Sequence, residues 1–180
     1  MDQGANNLSI EPEAHANHTV SLLKTQFLDA QVETEEHFVP GCWISFENNG
    51  QQVAKITSTE GEAFTLDFSV AHPGEWLSLN LSLGGFSLAE RSIIGFVCNV
   101  SSPRPLTLRP CIRSGSESGF LDCFFDKHVI AYEQKSTHVD ILEVGRPHSL
   151  PAEAQWRDLL FFMKPETLTV TFHDLKIFIV

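Results

Sequence analysis

Alternating polar side chains in the middle of the chain could bind a polyhydroxylated ligand. Two predicted strands and the strand after them present these outward groups: Asn99, Arg109, Arg113, Asp126, His128 and Tyr132. Amide, guanidinium, carboxylate and imidazole groups exchange hydrogen bonds with hydroxyls, and an aromatic face packs against the C–H face of a sugar ring. If these strands are neighbours, they form a polar binding face. The alternative is a solvated face on which the arginine stems cover apolar area.

Three tryptophans, Trp43, Trp76 and Trp156, each lie beside a turn or at the end of a predicted strand. Trp76 follows Pro73-Gly74 and has the most loop-like surroundings, so we add it to the candidate binding residues as a stacking platform. The alternative for all three is packing in the core or at the rim of a sheet.

The sequence contains no complete catalytic motif. The segment Gly115-Ser116-Glu117-Ser118-Gly119 places a glutamate where a nucleophile elbow needs serine. The eight histidines include no HxH or HExxH spacing, and the four cysteines include no CxxC pair. A carboxylate pair like that of glycosidases stays open, because sequence does not give the separation of two carboxylates. We therefore predict no catalytic residue.

The charge is unevenly distributed along the 180 residues, which carry a formal net charge of −11. Residues 1–75 hold twelve acidic residues and only two basic ones, whereas all six arginines lie between Arg91 and Arg157. Nucleic acids and anionic membranes bind to clusters of Lys and Arg, and no such cluster is present. We therefore expect neither a nucleic acid nor a membrane as partner.

The N-terminal residues and the apolar runs indicate the cellular compartment of the protein. The apolar run Leu159 to Met163 is far shorter than a membrane-spanning segment. Residues 1–19 are polar and acidic, unlike a signal peptide, so we predict a cytoplasmic protein with reduced thiols. We also predict that residues 1–19 form a mobile leader and that residues 20–180 form one domain.

Period-two alternation predicts an all-β fold. The clearest strands are Phe64 to Val70, Leu77 to Leu83, Ile94 to Val100 and Leu168 to Ile179, the last with a bulge at His173-Asp174. Turn signals such as Asn48-Asn49-Gly50, Gly61 and the Pro147 to Pro151 connection separate roughly nine to eleven short strands. This spacing predicts a single antiparallel β-sandwich of jelly-roll type.

Several segments give weaker predictions. Residues 20–31 fit either a helix or the start of a strand near Phe27. Pro110 predicts an edge or bulged strand, because proline cannot donate to a ladder. Residues 114–119 are expected to form a flexible Ser/Gly loop, and residues 120–132 a strand.

The C-terminal residues resemble a known superfamily. An apolar segment from Trp156 to Met163, a turn, and a final segment from Leu168 to Val180 resemble the closing hairpin of galactose-binding-domain-like jelly rolls, which include many carbohydrate-binding modules. The resemblance implies saccharide binding on a sheet face or in end loops. It also implies a structural calcium, to which Asp174 and Glu33 would contribute oxygen ligands. The alternative is that Asp174 fits a bulge and Glu33 faces water.

These observations lead to one leading hypothesis and two alternatives. The leading hypothesis is a non-catalytic carbohydrate-binding module associated with glycan or polysaccharide metabolism, with a saccharide ligand and no cofactor other than the calcium. The first alternative is a β-sandwich that mediates protein interaction or assembly, either with itself or with a partner enzyme. The second is a small glycan-active enzyme that uses a carboxylate pair.

Overall fold

The computed structural model describes residues 11–47, 52–59, 62–145 and 150–180. Two short helices precede thirteen strands in the described residues. The helices are α1 Pro12–Ala16 and α2 His18–Thr25. The strands are β1 Asp29–Val32, β2 His37–Val39, β3 Cys42–Phe46, β4 Gln52–Thr57, β5 Phe64–Val70, β6 Leu77–Gly84, β7 Ile93–Ser101, β8 Leu106–Ser116, β9 Gly119–Phe124, β10 Val129–Ala131, β11 Ser136–Glu143, β12 Trp156–Met163 and β13 Leu168–Ile179.

The strands form two sheets. The six-stranded sheet has the order β1-β4-β5-β13-β7-β11. The seven-stranded sheet has the order β10-β8-β12-β6-β3-β2, and β9 pairs with β8 beside β10. The paired strands are antiparallel in both sheets. The predicted all-β antiparallel sandwich of jelly-roll type is confirmed.

The core lies between the sheets and is built from the inward residues of alternating strands. Leu77, Leu79, Leu81 and Leu83 of β6 are all buried, as their common parity predicts. Phe161 of the seven-stranded sheet packs against Phe96 and Phe172 of the other sheet, with ring centroids 5.5 and 5.3 Å away. Such aromatic contacts add to the free energy gained by burying apolar area.

The two helices pack against one side of the sandwich, whereas the sequence predicted that residues 1–19 form a mobile leader. Residues 1–10 lie outside the described residues, but residues 11–19 are ordered against the strands. Strand β13 pairs with β5 only as far as Phe172. Beyond this residue, the side chain of Asn17 takes the place of β5 by exchanging two hydrogen bonds with the backbone of Ile177, at 2.7 and 2.9 Å. Thr19 donates to the carbonyl of Ser82. Asn17 and Thr19 thus satisfy backbone groups of Ile177 and Ser82 that would otherwise lack partners, and these bonds hold the helical segment against the strands.

Other segments also differ from expectation. The ambiguous residues 20–31 contain both the end of a helix and a strand, and the expected loop 114–119 is mostly the hairpin of β8 and β9. Residues 120–132 hold two strands, with a loop between them. The bulge at His173-Asp174 is confirmed by a register shift. The turns at residues 48–50 and 61, and residues 146–149, lie outside the described residues.

Pro110 lies within a paired strand, where we expected an edge or a bulge. Its carbonyl accepts from the amide of Phe125, so the missing proline N–H faces the gap between β9 and β10. On the other side, Pro110 stays in register with Phe161. The ladder therefore loses no donor that it needs.

Within the described residues, no helix has the length and apolar character to cross a membrane.

Candidate functional site

The outward surface of the seven-stranded sheet, here called the groove face, carries the strongest candidate site. One row of side chains crosses the sheet in register, from His37 through Trp43, Asn80, Leu160 and Cys111 to Phe124. The middle of this surface is buried: Asn80 is 3% exposed, Leu160 2% and Cys111 0%. These three residues thus lie deeper than the half-buried rings of Trp43 and Phe124, and we call them the floor of the groove face.

Trp43 is held in a fixed orientation at one end of the row. Its ring stacks on His37 at a centroid distance of 4.7 Å and an interplanar angle of 11°. Beside it, the side-chain amide of Asn80 donates to Ser45 Oγ at 3.0 Å, and its oxygen accepts from Ser78 Oγ at 3.1 Å. Asn80 therefore rigidifies the floor, and the indole is a preorganised stacking platform.

A charged row runs parallel to the first, from Ser82 through Asp158 and Arg113 to Asp122. Arg113 donates to Asp122 through Nε and Nη2, at 2.7 and 2.8 Å, and its guanidinium lies over the ring of Phe120. This bidentate pair occupies both groups and raises the pKa of Arg113.

Asp158 also lies on the groove face, but no arginine forms a bidentate pair with it in the described residues. Burial raises the pKa of Asp158 to about 6, while Arg113 and a hydrogen bond from Ser82 oppose the rise. A partly desolvated carboxylate is a strong acceptor for ligand hydroxyls once it is ionised. The neighbouring Cys111 has its pKa raised to about 12, chiefly by burial, so its thiol is a neutral part of the floor.

Arg109 lies at the opposite end of the groove face from Trp43. Its guanidinium lies 3.8 Å from the ring centroid of Phe124, which in turn contacts Phe162. Arg109 is exposed, and within the described residues no carboxylate pairs with it. The groove face therefore offers an indole at one end and a guanidinium supported by an aromatic ring at the other.

The structure brings part of the predicted site together. Arg109 and Arg113 both lie on the groove face. Asp126 and His128 lie in the exposed loop between β9 and β10. This loop is close to Arg109, because the amide of Phe125 donates to the carbonyl of Pro110. Trp76, 45% exposed, precedes β6 by one residue and borders the same face.

Two predicted residues lie elsewhere. Asn99 is on β7, in the six-stranded sheet, where its side-chain oxygen accepts from Thr137 at 2.7 Å. Strands β7 and β8 are therefore not neighbours, although they follow each other in the chain. Tyr132 is exposed just after β10, and its carbonyl accepts from the amide of Ser102 at one end of the sandwich.

Sequence reasoning missed the roles of Trp43, Asp158 and Phe124. Trp43 alternates with the inward Cys42 and Ile44, and this parity was a usable sign that its ring faces outward. Asp158 had no comparable sign, since its importance arises from burial beside Arg113.

The proposed calcium ligands are not brought together. Asp174 forms an ion pair with Lys24 and accepts from the amide of Leu175. Glu33 directly follows β1, which is three strand intervals from β13, or about 14 Å. One calcium ion cannot bind oxygens that far apart. Within the ranges that the structure describes, no group of three or more His, Cys, Asp or Glu could hold a metal ion.

Comparisons with known proteins identify the type of fold. No family model matches the sequence, and no curated protein matches it. Among solved structures, the chain is similar to the family 11 carbohydrate-binding module from Clostridium thermocellum in complex with a β-1,3-1,4-mixed-linked tetrasaccharide. The identity is 12% and the TM-score 0.51, over 85% of this chain and 96% of that one.

Two further structures have the same architecture. The CBM22-1 xylan-binding domain from Paenibacillus barcinonensis is 11% identical, with a TM-score of 0.52 over 84% of this chain and 93% of that one. A family 30 carbohydrate-binding module of a cellulosomal cellulase of Clostridium thermocellum is 16% identical, with a TM-score of 0.52 over 84% and 97%. The fold is therefore the β-sandwich jelly roll of carbohydrate-binding modules, as the C-terminal resemblance predicted.

Proposed function

We propose that this protein is a non-catalytic carbohydrate-binding module that holds a glycan chain along its groove face, in association with glycan or polysaccharide metabolism. The row from Trp43 to Phe124 is the observation that carries the proposal. The two residues are four strand intervals apart, which corresponds to about 19 Å. That length accommodates several sugar rings across the strands. Similarity in fold to carbohydrate-binding modules supports the same function.

The chemistry of the face suits a sugar chain. Trp43 supplies an apolar surface for the C–H face of a ring, and Asp158 supplies an acceptor for hydroxyl groups. The floor between them is formed by side chains that already satisfy one another, such as Asn80 and Ser78. A glycan lying there would meet few polar groups that lose a partner on binding.

Within the described part of the groove face, Asp122 and Asp158 do not form the carboxylate pair of a glycosidase. Such an enzyme needs one carboxylic acid and one available carboxylate on either side of the scissile bond. Asp122 is bound at both oxygens by Arg113, and that guanidinium lies between Asp122 and Asp158. The arrangement favours binding over hydrolysis.

A second candidate function rests on the edge strand β11. Val139 and Ile141 are 50% and 41% exposed on the outward side of this edge, which has no further strand beside it in the described residues. Exposed apolar side chains on an open edge favour a protein partner. The measurement for this candidate is the mass in solution: a value above 20.1 kDa that Val139→Lys returns to the monomer would support it.

Trp43→Ala tests the carbohydrate-binding proposal. We expect titration calorimetry on a glycan panel to find a saturable ligand, and the variant to weaken its binding by roughly 30-fold, as expected for an aromatic anchor. Trp43→Phe should recover part of the loss. Phe27→Ala is the matched control, because Phe27 is an exposed aromatic outside the groove face. Absence of any ligand, or equal loss in the control, would contradict the proposal.

A further inference from the structure

Three arginines lie on the two adjoining strands β8 and β12, and they have different roles. Arg157 points into the sandwich, where it donates to Ser114 Oγ and to the carbonyls of Pro151 and Ala152. Arg113 is bound by Asp122. Arg109 alone of the three contacts no oxygen acceptor in the described residues.

The guanidinium of Arg109 lies over Phe124, the last residue of the row that crosses the groove face. Phe124 covers one face of the guanidinium at 3.8 Å, so the N–H groups along the edges remain available. A planar guanidinium matches a carboxylate with two parallel hydrogen bonds. The ring also restricts the side chain before binding, which lowers the entropy lost when a ligand is held.

The charges around Arg109 do not neutralise it. The adjoining loop contributes Asp126 and Lys127, and the turn after β12 contributes Lys164 and Glu166, so each neighbouring segment is balanced in charge. On the groove face Arg113 pairs with Asp122, and Asp158 lies opposite Arg113 on β12, four residues along the ladder from Arg109. The strongly acidic residues 1–75 contribute β2 and β3 to this sheet, at the edge opposite Arg109.

We infer that the glycan bound by the groove face is acidic, and that Arg109 binds a carboxylate carried by one of its sugars. The inference rests on the proposed function and specifies its ligand class. Arg109 lies three strand intervals from Trp43, or about 14 Å. The carboxylate should therefore belong to a sugar a few residues along the chain from the one that stacks on the indole.

Matched neutral and acidic glycans test the inference. The first pair is cello-oligosaccharides and β-1,4-glucuronan oligosaccharides, which differ only by oxidation at the sixth carbon. The second pair is unsubstituted xylan and glucuronoxylan. Titration calorimetry at low and high salt should show the acidic member of a pair binding about tenfold more tightly, with an advantage that shrinks as salt rises.

Arg109→Gln should remove the preference, by weakening the binding of the acidic glycan about tenfold more than the binding of its neutral partner. Arg109→Lys should keep part of the preference, because it retains the charge without the planar fork. Arg104→Gln is the control, since Arg104 lies in the exposed connection between β7 and β8.

Equal affinities within both pairs, or an equal loss of neutral and acidic binding in Arg109→Gln, would overturn the inference while the proposed function stands. If neither member of either pair binds and Trp43→Ala changes nothing, the proposed function fails, and the inference fails with it.

Discussion

The two outward faces of the sandwich arise from the same alternation, yet their polar groups are satisfied differently. On the six-stranded sheet, polar side chains pair with one another across strands. Thr65 and Thr171 lie 2.8 Å apart between their hydroxyl oxygens, and Thr169 donates to Asp67 at 2.6 Å. Lys55 pairs with Asp29 at the edge. These polar groups are therefore already satisfied by one another, without a ligand.

The groove face has the opposite arrangement. Its small polar residues are buried and mutually bonded. Its larger groups have fewer partners: Trp43 stacks on His37, Asp158 accepts from Ser82, and Arg109 has no carboxylate partner within the described residues. Comparison of the two faces therefore teaches that a binding surface is recognised by the groups left for a ligand.

We expect the largest effect from a substitution in the core, which lies between the sheets and supports both outward faces. Phe161→Ala deletes a fully buried ring between the sheets and should lower the free energy of unfolding by about 3–5 kcal/mol. Chemical denaturation measures the loss. Because Phe161 belongs to neither face, glycan affinity per folded molecule should stay unchanged, and a specific loss of affinity at full folding would contradict the division between core and faces.

An intermediate effect concerns pH and Asp158. Its folded-state pKa of about 6 lies above the unfolded value of about 3.9, so the native state binds more protons than the unfolded chain between these values. The free energy of unfolding should therefore fall as pH rises through this window. Glycan affinity should change in the other direction, rising with pH as the ionised carboxylate accepts hydroxyl protons.

Asp158→Asn should remove both dependences, as measured by thermal unfolding and calorimetry from pH 4 to 8. The matched control is Asp67→Asn on the six-stranded face, where the carboxylate is exposed and bonded by Thr169. Persistence of the pH-dependent affinity in Asp158→Asn would show that another group of the groove face controls binding.

The smallest expected effect lies on the six-stranded face. Thr169→Val removes one cross-strand hydrogen bond and should lower the free energy of unfolding by about 1 kcal/mol or less. Glycan affinity should not change in calorimetry. A measurable loss of glycan binding would mean that the ligand also contacts this sheet, and the distinction between the faces would fail.

Much of the fold follows from local patterns. Alternation from Leu77 to Leu83 identifies both the strand and its buried side, because successive side chains point to opposite faces. The change of parity at His173-Asp174 likewise identifies the bulge. A helix was one of two interpretations of residues 20–31, which contain the end of α2, whereas α1 was not predicted. Both helices are short, and the segment depends on long-range bonds such as those between Asn17 and Ile177.

The candidate site depended more on tertiary structure. Asn99 and Arg109 are ten residues apart and share an outward parity, yet the connection between β7 and β8 carries the chain from one sheet to the other. Likewise, local sequence favoured Trp76 over Trp43 as the stacking residue, because Trp76 has the more loop-like surroundings. Only the pairing of β3 with β6 places Trp43 in the row that crosses the groove face.

By itself, the sequence determined the class of this protein: strands, their inward sides, and a closing hairpin of the kind found in carbohydrate-binding modules. Period-two patterning and turn residues act over a few neighbours, so they can be identified without coordinates. The tertiary structure decided which face is the groove, that Arg113 is occupied by Asp122, and that Arg109 is available. These properties depend on strand order and burial, which arise only when residues distant in sequence are packed together.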